Sequence, residues 1–368
     1  MTLHSIKTLD KKIQQFIYTY KFPEKIMRKR ITQADIAREA NVSQAMVSYV
    51  VNDVHHVNIT IETRQKVKKI MNELGYVPNI SAQRLKSKKT NTIAGIIPDI
   101  TNPFYPEFER GIQEIVDSKG YDFIVYNTDA SKSKEKKCIG SLLQGRVDGL
   151  IGVFFHLNAK ELKILVQNNI SVLRLEGRPK KLGDLPIDNI FVDNISASKF
   201  AVSYLVKNGH HKISMISSEY GPSYLREIGY EMAINEAGIE RKNINIIRDK
   251  FDENGGYQAA KKILSTQEKP TAIFAANDLI AMGAMVAIRE KGIAIPNDIS
   301  VVGFDDVPSA KLVSPALTTV SQFQRNMGRK AAELLLQRIN GNPQERAINI
   351  EMPFELVVRD STIKRSNV

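Results

Sequence analysis

The sequence predicts an all-α head that contains a helix-turn-helix, followed by an α/β body with two doubly wound parallel sheets. Three observations support this prediction. Residues 31–52 have the pattern of two short helices joined by a tight turn. From Thr92 onward, short β-branched runs alternate with longer helical segments. Lys and Arg number 17 against 7 Asp and Glu over residues 1–92, but 35 against 33 over residues 93–368, so the head carries most of the positive charge.

Length and composition indicate a soluble protein with more than one domain. A chain of 368 residues exceeds what one hydrophobic core usually serves, and 42% hydrophobic with 25% charged residues is typical of globular domains. The N-terminus lacks the apolar segment of a secretory signal, and no apolar run is long enough to span a bilayer. We therefore expect a cytoplasmic protein with no membrane partner.

Cysteine and histidine usage argues against disulfides and metal sites. Cys138 is the only cysteine, so no intramolecular disulfide can form. His55 is adjacent to His56, and His210 to His211, but successive helical residues point in different directions and are poorly placed to share one metal ion. We expect neither a metal nor another cofactor.

Residues 1–30 precede the predicted head. The run LDKKIQQFIYTY has the pattern of one amphipathic helix, yet the head needs nothing before Arg30. One hypothesis is that translation starts at Met27, so that residues 1–26 do not belong to the native protein. The alternatives are an accessory helix or a basic arm that adds phosphate contacts.

The first two helices of the head are predicted from their caps and apolar residues. Thr32 is placed to cap the first helix, with Asp35 three residues on as in a capping box, and Asn41 is placed to end it in a left-handed conformation. Ser43 is predicted to begin the second helix. The inward-facing residues are predicted to be Ile36, Ala37, Ala40, Val47, Val50 and Val51. Those left on the outside of the second helix are Gln44, Ala45, Ser48 and Tyr49.

A third helix and a basic segment complete the head. The third helix is predicted over about residues 62–74, with the apolar residues Val67, Ile70, Met71 and Leu74 on one side and Gly75 at its end. The next segment, SAQRLKSKKT, places Leu85 among cations, as a side chain that enters the minor groove of DNA requires. An ordinary three-helix bundle followed by a basic linker is the alternative interpretation of the same pattern.

The run from Thr32 through VSQAMVSYVVN, followed by ETRQKV, ELGYVPN and SAQRL, resembles the head and hinge of the lactose-repressor/galactose-repressor (LacI/GalR) transcription factors. The resemblance implies a helix-turn-helix domain over residues 31–78 and a hinge over residues 79–91 that becomes helical on operator DNA. It implies that the second helix reads bases in the major groove and that Leu85 enters the minor groove. The DNA-binding residues predicted in this way are Thr32, Ser43, Gln44, Ala45, Ser48, Tyr49, Asn52, Asn79, Ala82 and Leu85.

Two features depart from the family pattern. Many members have Arg where this chain has Tyr49, and Arg is the usual partner of guanine, so the preferred operator is expected to differ at that base pair. The link between Asn52 and Thr63 is about two residues longer than in the best-known members. We expect this longer link to change a loop and not the way in which the head binds DNA.

The body is predicted to be α/β because its apolar runs are separated by helical segments. The strand candidates are IAGII, DFIVYN, DGLIGV, ISVLRL, KISMIS, TAIFAAN and ISVVGF. Continuous apolar strands of this kind are typical of parallel sheets covered on both faces, and this many strands favour two sheets over one. Ligands of such sheets bind at the carboxyl ends of the strands. Residues that follow the strands are therefore the first candidates for a binding site.

The body also resembles the same family down to about Phe354, through TNPFY, VDN, NGHHKI, REIGY, FAANDLIAMGA, PNDISVVGFDD and PALTTV. The family core in turn resembles the periplasmic-binding-protein fold. This implies an effector-binding and dimerisation region over residues 92–368, with one subdomain at about 92–191 and 323–351 and another at about 192–321 and 353–368. The crossovers are expected near Phe191, Gln322 and Met352. The implied effector-binding residues are Asp99, Phe104, Glu176, Arg226, Phe251, Asn277, Asp305 and Phe323; the alternative for Asn277 is that it caps the following helix, as Asp278 also could.

The resemblance implies a repressor that binds a palindromic DNA operator as a homodimer and is switched by a small, sugar-like effector. It also implies association with the bacterial nucleoid. Control by a phosphorylated carrier protein or by a purine corepressor is the alternative, and a sugar-binding protein without a DNA role is a more remote one. The sequence contains no GxSxG, GxxxxGK[ST] or zinc signature, so we expect no enzyme activity. No leucine heptad follows residue 355, which favours a dimer over a tetramer.

Overall fold

The computed structural model describes residues 31–54, 57–77, 89–175, 185–240, 244–341 and 346–365. The chain forms two compact units, and the boundary between them lies between residues 88 and 89. The first unit is the head and the second is the body. The predicted fold class, a helix-turn-helix head with two parallel-sheet subdomains, is confirmed.

The described part of the head contains α1 (Gln33–Ala40), α2 (Gln44–Val51) and α3 (Ile61–Glu73). The predicted capping box is present: the Asp35 amide donates to Thr32 Oγ1 at 3.3 Å, and the Thr32 amide donates to Asp35 Oδ2 at 2.9 Å. Asn41 ends α1 with φ of 52°, and Ser43 caps α2 by accepting a hydrogen bond from the Met46 amide. These contacts satisfy backbone N–H groups that the first turn of a helix leaves free.

A small apolar core holds the three helices together. Its buried residues are Ile36, Ala37, Ala40, Val47, Val50, Val67 and Ile70, and Val51 and Met71 pack against them partly buried. One prediction is wrong: Leu74 is 37% exposed. The helix ends at Glu73, one residue earlier than expected, so Leu74 is the C-cap residue and does not continue the inner face of α3.

The first sheet of the body is parallel throughout. Its strands are β1 (Thr92–Ile97), β2 (Asp122–Asn127), β3 (Gly149–Gly152), β4 (Ser171–Leu175), β5 (Ile187–Val192) and β11 (Asn349–Met352), in the order β11-β5-β4-β3-β1-β2. It is flanked by α4 (Phe104–Ser118), α5 (Lys132–Leu142), α6 (Ala159–Gln167) and α11 (Gln324–Asn340). Successive residues of β1 enter different apolar clusters, Ile93 one and Ala94 the other, so both faces of the sheet are covered.

The second sheet repeats this arrangement with one reversed edge. Its strands are β6 (Ile213–Ser218), β7 (Ile244–Asp249), β8 (Ala272–Ala275), β9 (Ser300–Asp305), β10 (Thr318–Ser321) and β12 (Glu355–Val357), in the order β12-β10-β9-β8-β6-β7. Only β12, among the strands described in this sheet, runs antiparallel to its neighbour. The helices of this subdomain are α7 (Asn194–Lys207), α8 (Ser223–Glu236), α9 (Glu253–Leu264) and α10 (Asp278–Glu290), with a short 3₁₀ helix at Pro308–Lys311.

The chain passes between the two sheets three times. It leaves the first sheet after β5, returns after β10 and leaves again after β11. On its return it enters α11, which packs against α4 so closely that a Cβ atom at Gly111 would overlap the Arg325 carbonyl oxygen, and one at Gly328 would overlap the Phe108 carbonyl oxygen. The two helices are therefore in backbone contact. All seven predicted strands are present, and the sequence pattern did not reveal β5, β7, β10, β11 and β12 as strands.

Candidate functional site

The outer face of α2 in the head carries exposed polar and small side chains. Gln44, Ala45 and Tyr49 are exposed, and Ser48 is partly exposed. Asn52 follows one turn after Ser48 and donates from Nδ2 to the Ser48 carbonyl oxygen at 2.7 Å. The predicted residues Thr32 and Ser43 are exposed N-caps of α1 and α2, and the N-terminus of a helix favours an anion such as a phosphate. The predicted residues Asn79, Ala82 and Leu85 lie outside the described residues.

The body contains a cavity of about 650 Å³ between its two subdomains. The first subdomain contributes residues that follow β1 and β3, and the second contributes residues that follow β6 and β7 and the last residue of β9. Two crossover segments contribute as well, through Val192 at the end of β5, Asn194 just after that strand, and Gln322 after β10. The cavity therefore lies at the carboxyl ends of strands from both sheets, where parallel α/β folds bind ligands.

The inner end of the cavity is a buried polar network centred on Arg226, which is 3% exposed. Its Nε donates to Asn194 Oδ1 at 2.8 Å, its Nη1 donates to the Ala276 carbonyl oxygen, and its Nη2 lies 3.4 Å from Asp305 Oδ1. The guanidinium also lies 3.7 Å from the centre of the Phe304 ring. This network fixes the planar guanidinium, a group that can hold two hydroxyls or one carboxylate.

Asp305 links the same network to a crossover. Gln322 donates from Nε2 to Asp305 Oδ1 at 2.7 Å, and Gln324 donates to the Asp305 carbonyl oxygen. Burial raises the pKa of Asp305 to about 6, although Arg226 and Gln322 both favour the ionised form. Burial also lowers the pKa of Arg226, against the opposing charge of Asp305. The pair is therefore kept out of water, and its ionisation depends on its neighbours.

The outer end of the cavity is aromatic. Tyr220 precedes α8 and is 51% exposed, and Tyr224 lies in the first turn of α8 and is 70% exposed. Phe154 and Phe155 come from the loop after β3, and Phe251 follows β7. Gly221 has φ of 63°, and a Cβ atom there would lie 3.4 Å from Phe155 and 3.7 Å from Phe251. The two subdomains thus approach each other at a point where Gly221 separates two aromatic rings.

The loop that carries Phe154 and Phe155 is held by a buried carboxylate. Glu135 of α5 is fully buried and accepts backbone hydrogen bonds from Phe155 at 2.9 Å, His156 at 3.3 Å and Leu157 at 3.0 Å. His156 Nε2 lies 2.7 Å from the Ala130 carbonyl oxygen. A carboxylate that accepts several N–H groups is a strong local constraint on the backbone. Sequence reasoning did not identify this interaction.

Four of the eight predicted effector-binding residues line the cavity, namely Phe104, Arg226, Phe251 and Asp305. Asp99 does not line it, and its Oδ1 accepts hydrogen bonds from the backbone and side chain of Thr101 within its own turn. Phe323 adopts φ of 51° before α11 and is also absent from the lining. The predicted residue Glu176 lies outside the described residues.

Asn277 and its neighbour Asp278 have structural roles. Asn277 is fully buried and caps α10 by accepting a hydrogen bond from the Ile280 amide at 2.8 Å, as the alternative interpretation proposed. Asp278 accepts from Thr319 Oγ1 at 2.5 Å and from the Val307 amide at 2.8 Å. Burial raises the pKa of Asp278 well above its usual value. Neither residue lines the cavity.

Several lining residues were missed by sequence reasoning. Those with polar groups or rings are Asn102, Tyr105, Phe154, Phe155, His156, Asn194, Glu219, Tyr220, Tyr224 and Gln322. The rule that ligands bind after strands would have identified the Phe154 loop, which follows the predicted strand DGLIGV directly. The neighbouring sequence does not mark Asn194 and Gln322 as binding residues. They reach the cavity because the chain passes from one sheet to the other at these positions.

The described parts of the chain contain no group of three or more His, Cys, Asp or Glu residues that could hold a metal ion. No helix there is both long and apolar enough to cross a membrane.

The sequence matches two family models and many known proteins. Residues 32–79 match the model for bacterial regulatory proteins of the lacI family, and residues 202–362 match a periplasmic binding protein-like domain. The chain is 36% identical to the HTH-type transcriptional regulator RegA of Clostridium saccharobutylicum over 89% of this chain and 98% of that protein. It is 33% identical to catabolite control protein A of Priestia megaterium over 90% of this chain and 99% of that protein.

Solved structures match over the same extent. The lac repressor dimer bound to operator and the anti-inducer ONPF is 29% identical, with a TM-score of 0.79 over 91% of this chain and 100% of that chain. A complex of the transcriptional regulator CelR with cellobiose is 28% identical, with a TM-score of 0.66 over 90% of this chain and 100% of that chain.

Proposed function

The chain belongs to the lacI family of bacterial regulatory proteins, and from this premise we propose that it represses transcription as a homodimer switched by a sugar-like effector. The family consists of DNA-binding transcriptional regulators and not of enzymes. The observation that carries the proposal is the joint presence, in one chain, of an exposed recognition face on α2 and a cavity with a buried Arg226–Asp305 pair. The first feature fits DNA and the second fits a small polar molecule.

On DNA, we assign base reading to Gln44, Ala45 and Tyr49. Their exposure on one face of a short helix supports this assignment, because a helix of this kind fits the major groove. Thr32 and Ser43, with Ser48 and Asn52, are assigned to phosphate contacts and to support of the reading helix. The protein would act in the cytoplasm, on DNA of the nucleoid.

The hinge assignment concerns Asn79, Ala82 and Leu85, within residues 79–91. If Leu85 enters the minor groove at the centre of the operator, Leu85→Ala should weaken specific binding far more than nonspecific binding, because only the specific complex contains the parted base step. Fluorescence anisotropy with operator and random duplexes at one salt concentration measures both affinities. Equal losses on the two duplexes would refute the role of Leu85.

The homodimer is proposed because palindromic operators require a symmetric protein. Exposed apolar residues of the second subdomain support it, since Leu312 is 78% exposed and Val286 of α10 is 39% exposed. We expect Leu312→Lys to yield monomers in analytical ultracentrifugation. Monomers would bind a half-site weakly, since two heads must engage half-sites about 34 Å apart.

The effector is proposed to be rich in hydroxyls. Arg226, Asp305, Asn194 and Gln322 offer donors and acceptors at the inner end, and aromatic rings such as Phe104 and Phe251 suit the apolar face of a sugar ring. The regulator CelR, solved with cellobiose, shares this fold and supports the same class of ligand. A purine corepressor or a phosphorylated carrier protein is the alternative.

Switching is proposed to act through the crossovers. Arg226 bonds Asn194 directly after the first crossover, and Asp305 bonds Gln322 directly before the return into α11. Arg226 and Asp305 are therefore each hydrogen-bonded to a residue of a crossover. An effector that contacts this pair would act on both crossovers. A ligand shifts the balance between two subdomain angles by its difference in affinity for them, and this difference determines whether it acts as inducer or corepressor.

Thermal melting of the full chain against sugars, sugar phosphates, purines and nucleosides tests the proposal. A ligand at about 100 times its dissociation constant adds about 2.7 kcal/mol to the stability of the native state. Arg226→Ala should abolish the shift. Arg359→Ala should not, since it removes another Arg–Asp pair of the same subdomain, to Asp306, outside the cavity. A panel without a hit would favour a protein coeffector.

A further inference from the structure

We propose that Asp148 anchors the chain where it enters the body, and that this anchor sets the distance between operator half-sites that the homodimer accepts. The proposal rests on the proposed function as a DNA-binding homodimer and specifies how the body acts on the two heads. Asn340, at the end of α11, has a smaller part in the same anchor. Asp148 acts through the residues that it holds and is therefore a positioning residue.

The carboxylate of Asp148 holds the first residues of the body. Its Oδ1 accepts hydrogen bonds from the Thr90 amide at 2.7 Å and from Thr90 Oγ1 at 2.9 Å, and its Oδ2 accepts one from the Asn91 amide at 2.8 Å. A carboxylate that accepts several hydrogen bonds constrains the backbone strongly. Two consecutive residues are therefore fixed just after residue 88, where the first compact unit of the chain ends.

Asp148 is itself held by the first sheet. Its amide donates to the Thr92 carbonyl oxygen of β1 at 2.9 Å, and its carbonyl oxygen accepts from the Ser171 amide of β4 at 3.1 Å. The Asn91 carbonyl oxygen accepts from the Asp122 amide of β2 at 2.8 Å. The entering chain is thus bonded at the starts of neighbouring strands of one sheet, so it moves with the first subdomain.

The backbone turns at the anchor. Asn91 has φ of 48°, in the left-handed region that Asn adopts more readily than most residues. Thr90 Oγ1 accepts from the Thr92 amide at 3.2 Å, and Thr92 Oγ1 donates to the Thr90 carbonyl oxygen at 3.1 Å. These contacts fix the direction from which the preceding residues reach β1.

Lys89 is tied to a different element. Its Nζ donates to Asn340 Oδ1 at 2.8 Å, and the Tyr121 hydroxyl donates to the same oxygen at 3.4 Å. Asn340 is the last residue of α11, which begins at Gln324, and the side chain of Gln324 donates to the Asp305 carbonyl oxygen. Helix α11 thus connects the cavity with the anchor. Lys89 and Asn340 are both exposed, so their hydrogen bond is the weaker part of the anchor.

The anchor is close in sequence to the residue assigned to the operator centre. Only residues 86–88 separate Leu85 from Lys89. Four extended residues span at most about 14 Å, so an anchored Lys89 restricts where the Leu85 side chains of a dimer can lie. One added base pair moves a half-site by about 3.4 Å and turns it by about 35°. An anchored chain should therefore accept one spacing, whereas a free chain should follow several.

Binding of the full chain to palindromes of different spacing tests the anchor. The full chain first selects a preferred palindrome from a random library of duplexes. Duplexes with one or two base pairs added to its centre, or removed from it, are then compared by fluorescence anisotropy at one salt concentration. We expect the native chain to prefer one spacing by at least about tenfold, because DNA must be twisted to bring a displaced half-site into register. Asp148→Ala should reduce this preference to about threefold or less and leave affinity for random DNA unchanged.

Further variants assign the effect to the anchor. Asp148→Asn keeps one oxygen acceptor and should retain part of the preference. Asn340→Ala should reduce the preference by about twofold, and Asn340→Asp should restore it, because its carboxylate can accept from Lys89. Asp298→Ala is the control: Asp298 Oδ2 accepts from the Ala294 amide at 2.7 Å in the second subdomain, so a comparable side chain–backbone hydrogen bond is lost. The control should keep the spacing preference.

Lys89 provides an independent measurement. Its place in the basic segment would suit a phosphate contact, whereas the structure directs its Nζ to Asn340. Lys89→Met should therefore weaken the spacing preference and leave the salt dependence of operator affinity unchanged. A slope of log affinity against log salt that falls by about one for each Lys89 removed would show a phosphate contact and overturn the role of Lys89 in the anchor.

The outcomes separate the anchor from the proposed function. If the selection enriches no duplex, sequence-specific DNA binding fails, and the anchor fails with it. If the native chain binds all spacings within about threefold, or if Asp148→Ala keeps the preference, the anchor is overturned while DNA binding stands. Loss of the preference in Asp298→Ala as well would show general destabilisation instead of an anchor. Should Asp148→Ala fail to fold, Asn340→Ala at its exposed helix end replaces it, and an unchanged preference there would overturn the proposal.

Discussion

The head and the body differ in how their functional surfaces are built. In the head, the proposed reading face belongs to one eight-residue helix, which begins after Ser43 and ends before Asn52. In the body, the cavity is assembled from residues that are as far apart in the sequence as Asn102 and Gln322. A locally built surface can be read from helical periodicity, whereas an assembled cavity depends on topology. A substitution that unfolds the head should therefore abolish DNA binding and leave the body folded.

The largest expected effect separates the two regions directly. Ile36 is fully buried in the small core of the head, and Ile36→Ala should cost about 2–5 kcal/mol of head stability. We expect operator binding to be lost while effector affinity and the main melting transition of the body are retained. Calorimetry with effector titration measures both regions, and loss of effector binding would show that the regions are not independent.

The converse variant perturbs the body. Gly111→Ala places a methyl group against the Arg325 carbonyl oxygen and should destabilise the body by about 1–3 kcal/mol. Gly140→Ala in α5 is the control, because a Cβ atom there meets nothing within 4 Å, and it should be neutral or slightly stabilising. Denaturant unfolding followed by tyrosine fluorescence of the body distinguishes them. Equal midpoints for both variants would show that α4 can move away from α11.

A third substitution tests whether the proposed reading face of α2 contacts base edges. Gln44→Ala should cost about 1–3 kcal/mol on the operator and little on random DNA, because base-edge contacts discriminate between sequences. Gln65→Ala removes a similar exposed side chain from α3 and should alter neither affinity. The two affinities are compared by anisotropy at fixed salt. A uniform loss on both duplexes would instead indicate a phosphate contact.

The smallest expected effect concerns pH in the cavity. Burial raises the pKa of Asp305 to about 6, so its carboxylate is ionised at pH 7.5 and becomes protonated as the pH falls through 6. Effector affinity should then fall, by at most about tenfold per pH unit, since a protonated carboxyl loses part of its capacity to accept hydroxyl hydrogen bonds. Titrations between pH 5 and pH 8 measure this, and Asp305→Asn should flatten the profile.

The raised pKa of Asp305 affects the stability of the ligand-free protein in the opposite direction from effector affinity. A carboxyl whose pKa is higher in the folded than in the unfolded state favours folding at low pH. The Asp305 contribution should therefore become more favourable as the pH falls from about 6 towards the unfolded value near 4. The melting temperatures of the ligand-free protein and of its Asp305→Asn variant should therefore diverge between about pH 6 and about pH 4. A divergence of the opposite sign would contradict the raised pKa.

The sequence predicted the head better than the cavity for physical reasons. Thr32, Asp35 and Asn41 act on neighbours within a few residues, so their roles follow from spacing alone. Asn277 shows the limit of such reasoning, since a polar residue after a strand can face a ligand or cap the next helix. Asn194 and Gln322 show a second limit, because they reach the cavity only through the crossovers.

The three crossovers also determine the order in which a growing chain can become functional. Strand β11 pairs with β5, so that Asn349 lies beside Asn189, and the first sheet lacks its edge until residue 352 has left the ribosome. Helices α1, α2 and α3 of the head are complete by Glu73. Domains fold as units during synthesis, the N-terminal ones first. A nascent chain therefore completes its DNA-binding head long before it completes its effector-binding body. A chain truncated before β11 would keep the head and lack a complete first sheet in the body.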